Sequence, residues 1–236
     1  MLQACINGAL SKADHSGVPI SSEELARDAA ACVAAGAESI HLHPRNREGS
    51  ERLDPQVVDE VVRIVRDMCG APICVSTGAW IETDVARRVD LIGGWREPDL
   101  ATVNVCEEGA ADVMEALLRG GVGIEVGIWS VEDVDRFVTL GFCERVTRIL
   151  VEPVDVRAAH ALEVVNAIHA ALDGYRLPAP RLQHGDGEST WILLSDAVER
   201  GIDTRIGLED TLYLPNGERT AGNEALVQAA CALGAG

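Results

Sequence analysis

Short runs of apolar and β-branched residues recur along the chain, and after each run apolar residues return every three or four positions. The runs predict buried strands, and the later spacing predicts amphipathic helices. Their regular alternation predicts βα units around a parallel sheet. Eight strands are expected, at residues 3–8, 38–43, 72–76, 100–104, 122–128, 146–151, 180–184 and 203–207. Between them lie helix start and stop signals. Ser21 with Glu24 forms a capping box and Gly36 ends that helix, while Asp54 and Pro55 open the next and Gly70 closes it. Ser130 starts a helix that stops near Gly141, and Ser189 or Thr190 starts one that stops at Gly201. With no Pro/Gly/Ser-rich linker and no break in composition, residues 1–236 are expected to form one domain. The fold class expected is α/β, a (β/α)8 TIM barrel in a short form with trimmed loops. A doubly wound open sheet is the alternative, but no G-x-G-x-x-G follows the first strand.

In a (β/α)8 barrel, chemistry gathers at the C-terminal ends of the strands and in the loops behind them. That rule selects Asn7 and Lys12, His41 and His43, Ser76 to Gly78, Thr102 and Asn104, Glu125, Glu152, His184 to Glu188, Arg205, Glu209 and Asp210. Composition narrows the choice. With 38 acidic against 20 basic residues, the net charge is −18, which argues against nucleic acid or an anionic membrane as partner. Lys12 is the sole lysine, so Schiff-base and carbamylated-lysine chemistry would both have to rely on it. The seven scattered cysteines form no C-x-x-C pair and indicate neither a disulfide framework nor a zinc knuckle. No apolar run approaches the ~20 residues of a membrane span, and a cytoplasmic protein is expected.

The stretch "SIHLHPR" places His41 and His43 two residues apart on a strand, so both point to one face. This is metal-ligand spacing, and a hydrogen-bonded core pair is the alternative. Two imidazoles and one carboxylate make a common catalytic zinc set, and "RIGLEDT" supplies Glu209 and Asp210 just past strand eight. An acidic pair there could equally be a solvated turn or a helix cap. Ser76, Gly78 and Thr102 bring small hydroxyls and free amides to the ends of strands three and four. Such residues could hold a substrate carboxylate, or could simply shape turns.

Taken in order, "INGALSKAD", "AGAESIHLHPR", "VSTGA", "PDLATVN", "IEV" and "RIGLEDTLYLPNGERTAGNEALV" resemble the β-keto acid cleavage enzymes over nearly the whole chain. The resemblance implies a homotetrameric barrel holding one divalent ion, typically zinc. It implies acyltransferase chemistry in which acetyl-CoA and a β-keto acid become acetoacetate and a new CoA ester. By position, His41, His43 and Glu209 would bind the metal. Asp210, oriented by Arg205, would remove the proton between ketone and carboxylate. Ser76, Gly78 and Thr102 would surround the substrate carboxylate, with Asn7, Leu10 and Glu125 also at the substrate.

Arg205 beside Asp210 needs a reason, since a guanidinium lowers the basicity of a carboxylate. Three departures from the family pattern bear on the substrate. Leu10 replaces an acid that meets an amine, Asn7 stands where Thr is usual, and Gly127 interrupts the usual Glu-x-Glu after strand five. A neutral or apolar substrate side chain is therefore expected. The stretch 183–190 is expected to be structural. The alternatives are a metal-dependent hydrolase using an activated water, and a metal-containing binding protein without turnover.

Overall fold

A computed structural model describes residues 1–154 and 156–236. Eight strands run in parallel and in sequence order around a closed barrel: β1 (Leu2–Cys5), β2 (Ser39–Leu42), β3 (Ile73–Ser76), β4 (Leu100–Asn104), β5 (Gly123–Ile128), β6 (Arg148–Val151), β7 (Arg181–Gln183) and β8 (Asp203–Ile206). β8 closes on β1, with Ala4 opposite Ile206. Helices alternate with them: α1 (Ser22–Ala35), α2 (Pro55–Cys69), α3 (Val85–Gly93), α4 (Ala110–Gly120), α5 (Val131–Leu140), α6 (Ala158–Tyr175), α7 (Thr190–Arg200) and α8 (Asn223–Ala232).

The strands read as nearly continuous apolar runs because both faces are covered. One face meets the helices: Ala4, Ile40, Leu42, Ile73, Val75, Ala101, Val103, Ile124, Val126, Ile149 and Ile206 all belong to one apolar core. The other face fills the barrel, and here it is unusually polar. Cys5, His41, Cys74, Thr102, Glu125, Arg148 and Arg205 are all buried, where branched aliphatics usually dominate such interiors.

The caps follow their sequence signals, with one difference at α2. Ser21 and Glu24 form the expected capping box, and Ser130 forms another with Asp133. Asp54 stands at the head of α2 without capping it, because Arg52 Nε takes its carboxylate at 2.7 Å. A single 3-10 turn, Gly187–Ser189, precedes α7, so that helix begins at Thr190. No helix among the described residues is long and apolar enough to cross a membrane.

Candidate active site

β2 delivers His41 and, one residue past its end, His43, with ring centroids 5.3 Å apart and nearly perpendicular planes. His43 is fixed from two sides. Asn7 forms a reciprocal pair with its backbone: the amide nitrogen donates to His43 O and His43 N–H donates to Asn7 Oδ1, both at 2.9 Å. Glu51, from the loop after β2, lies 2.5 Å from His43 Nδ1, and an antiparallel bridge between Arg45 and Glu51 folds that loop back. Arg45 serves the scaffold, donating to the carbonyls of Gly8 and Leu10 at 2.6 and 2.7 Å.

Across the barrel mouth, Glu209 presents its two oxygens to the two imidazoles, each 3.7 Å from an Nε2. Its side chain crosses Gly8, where a Cβ would stand 2.6 Å from Glu209 Cγ. Gly207 admits the β1 backbone equally closely, since a Cβ there would fall 1.8 Å from Cys5 O. Arg205 Nη2 donates to Glu209 at 2.9 Å and to Asp210 at 2.8 Å, and lies 3.8 Å from Glu152. Asp210 is fully enclosed. Cys5 Sγ donates to it at 2.7 Å, and His184 Nδ1 lies 3.5 Å away. His184 continues to Glu152, 3.3 Å from its Nε2.

A narrow cavity opens over these groups, with His41, His43, Arg205, Glu209 and Glu152 on one side and Ser76, Thr102 and Asn104 on another. Trp80 and Trp129 complete it. Trp80, half exposed, stacks on His43 at 6.1 Å and directs its indole N–H toward Glu51. Ser76 Oγ accepts the Gly78 N–H at 3.2 Å, and the Trp80 ring covers Gly78.

Asn7, Gly78 and Asp210 bond to cavity residues without lining the cavity themselves, and the other expected residues sit elsewhere. Glu125 points into the barrel but lies deeper, accepting from Arg148 Nε at 2.8 Å and Thr102 Oγ1 at 3.0 Å, and it does not line the cavity. Leu10 is half-buried against the apolar core and also does not line it. Lys12 is exposed and paired with Glu24 at 3.0 Å, outside the site.

Burial and charge set the protonation of these groups. Burial pushes Asp210 above the usual carboxylate range, outweighing Arg205 and His184, which pull it down. Glu209 goes the other way: burial would raise it, but Arg205, His41 and His43 hold it well below its ordinary value. His41 is driven down to about 4, chiefly by burial. Burial also pushes His43 down, but Glu209 and Glu51 more than offset that and raise it to about 9.

Among the described residues, two sets of side chains bring three ligand atoms within 4.8 Å of one another: His41, His43 and Glu209, and deeper, His41, Cys74 and Glu125. The upper set fits a divalent ion better. Glu209 Oε2 is buried with no hydrogen-bond partner among the described residues, whereas Glu125 is already matched by Arg148. Two imidazoles and a carboxylate are a donor set that zinc accepts.

Four contributors, Glu51, Trp80, Trp129 and Cys5, are not among the residues that the strand-end rule selects. His184 meets that rule but lies in the stretch expected to be structural. Glu152 and Asn104 met the strand-end rule but were given no role. For Cys5 the available signal was its parity with Gln3 on an inward face.

The fold and site together define a barrel whose acid-rich mouth gathers two imidazoles and a carboxylate. The chain belongs to the beta-keto acid cleavage enzyme (BKACE) family, whose description matches residues 1–235. It is 25% identical over 247 residues to the 3-keto-5-aminohexanoate cleavage enzyme of Fusobacterium nucleatum, covering 97% of this chain and 88% of that protein. Family and relative indicate an enzyme that cleaves β-keto acids. Among solved structures, 3-dehydroquinate dehydratase of Geobacillus kaustophilus is similar with a TM-score of 0.63 and 13% identity, over 98% of this chain and 88% of that one. The N-acetylmannosamine-6-phosphate 2-epimerase of Clostridium perfringens is similar with a TM-score of 0.60 and 15% identity, over 89% and 87%. These two show the fold.

Proposed function

We propose that this enzyme exchanges acyl groups between a β-keto acid and acetyl-CoA, giving acetoacetate and a new CoA ester. One observation carries the reading: Glu209 faces both imidazoles with an unpartnered oxygen, beside an Asp210 whose carboxyl burial makes more basic. His41, His43 and Glu209 would hold a divalent ion, zinc by donor type, which when bound supplies a Lewis acid for a carbonyl oxygen.

The chain's own residues supply the rest. Asp210 takes the proton from the carbon between ketone and carboxylate, and its raised basicity serves that transfer. Arg205 orients Asp210 and Glu209 through a single nitrogen, which gives the guanidinium a positioning purpose despite its effect on basicity. The Ser76 hydroxyl, which lines the cavity, donates to the substrate carboxylate. The carbanion attacks the acetyl carbonyl and expels CoA thiolate. The thiolate then adds to the original ketone carbon, the bond to the neighbouring carbon breaks, and acetoacetate takes back the proton.

The test is a panel of β-keto acids with metal-loaded enzyme, with and without acetyl-CoA, read by mass spectrometry of CoA esters. Equal amounts of acetoacetate and a new CoA ester are expected. Turnover indifferent to acetyl-CoA would replace the proposal with metal-dependent hydrolysis, and no turnover at full metal content would leave a binding protein.

A further inference from the structure

Besides His41, Arg205 and Glu209, two cavity residues keep polar atoms that the protein does not satisfy. Asn104 Oδ1 and Trp129 Nε1 are both buried, and neither has a hydrogen-bond partner among the described residues. Burying such atoms unpaired is costly, so a ligand that completes them is favoured. The Asn104 orientation is fixed, because its NH2 donates to Glu107 at 3.0 Å and the free atom is therefore the acceptor. The indole nitrogen of Trp129 is a donor only. One acceptor and one donor thus remain at adjacent strand ends.

Gly127 makes room for this arrangement. On β5 it shares the inward face with Glu125, and a Cβ there would stand 2.3 Å from Asn104 Oδ1. The amide oxygen therefore fills the slot that a side chain at 127 would take. No carboxylate reaches it from β5.

Resting on the β-keto acid reading above, we propose that Asn104 and Trp129 form a subsite for an uncharged group on the substrate's acyl side chain. The group both donates and accepts a hydrogen bond, as a hydroxyl or a carboxamide does. A methyl end would leave both atoms unpaired. An ammonium would face an N–H that cannot accept, and a carboxylate would face an oxygen that cannot donate.

The test is a series of β-keto acids of one chain length ending in methyl, hydroxyl, carboxamide or ammonium, assayed as kcat/KM on the metal-loaded enzyme. Equilibrium binding of the same acids without acetyl-CoA is measured in parallel. Hydroxyl or carboxamide ends are expected to exceed methyl and ammonium by about tenfold or more. Trp129→Phe, which keeps a ring and removes the N–H, should lower the hydroxyl-to-methyl ratio several-fold, the remaining preference coming from Asn104 Oδ1. If nothing turns over, the reaction proposal fails while the binding series still decides the subsite. Equal binding of all four ends, preference for methyl or ammonium, or a ratio unmoved in Trp129→Phe would overturn it.

Discussion

Two buried arginines occupy the barrel, and their surroundings differ in stoichiometry. Arg148 meets Glu125 through two nitrogens, Glu125 also receives Thr102, and the partly exposed Asp203 lies 3.9 Å from the third nitrogen, so one fully buried carboxylate answers this guanidinium. Arg205 at the mouth faces three: Glu209, Asp210 and Glu152. The deeper pair is electrically closed. The mouth is short of positive charge, and the metal-free protein offsets this by holding protons, on His43 up to about pH 9 and on His184, also raised. A region that must borrow protons to stay buried is one that a divalent cation would complete.

The largest expected effect separates the two arginines. Arg148→Met leaves Glu125 buried without its counter-charge and should cost about 3–5 kcal/mol in urea unfolding at neutral pH. The deficit relative to the wild-type protein should persist at saturating zinc, because the untouched upper ligand set stabilises both proteins alike. Restoration by zinc would show instead that His41, Cys74 and the freed Glu125 bind metal. At the mouth, Asp210→Asn should keep the metal and lower turnover by about 10²–10⁴-fold, the range of a lost general base. Deuterium exchange at the substrate's acidic carbon should stop with it. Exchange at the normal rate would remove Asp210 from that role.

Why the sequence revealed one of these regions more fully than the other follows from what periodicity encodes. Alternation of inward and outward side chains is local, so all eight strands and the shared face of His41 and His43 were readable from spacing. The first strand, expected over 3–8, spans Leu2–Cys5, and Gly8 then turns the chain with φ +50°. Parity tells which face a residue takes and not how deep it lies. Glu125 was therefore expected at the substrate, whereas its register opposite Arg148 sets it below the cavity. Glu51 was invisible for a different reason: its contact with His43 depends on a loop that doubles back through the Arg45 bridge. Trp80 and Trp129 follow strand ends, yet nothing in their spacing distinguishes a cavity wall from surface packing.

The smallest effect expected, and the one that most sharpens the charge comparison, concerns Glu51. A carboxylate on the far nitrogen of a ligand imidazole fixes its orientation and raises its basicity, and Glu51 sits at His43 Nδ1 in this way. Glu51→Gln keeps a polar group of similar shape and should weaken zinc binding by about 10–100-fold. In the metal-free protein His43 is protonated below about pH 9 and His41 is neutral above about pH 4. Zinc binding at pH 7 should therefore release close to one proton from the pair, and affinity should rise about tenfold per pH unit until His43 has titrated. Since Glu51 helps hold that proton, Glu51→Gln should move the break in the pH profile to lower pH. Calorimetry in buffers of different ionisation enthalpy measures both quantities. If no proton is released by the wild-type protein at pH 7, either His43 is not a ligand or the mouth is not short of positive charge.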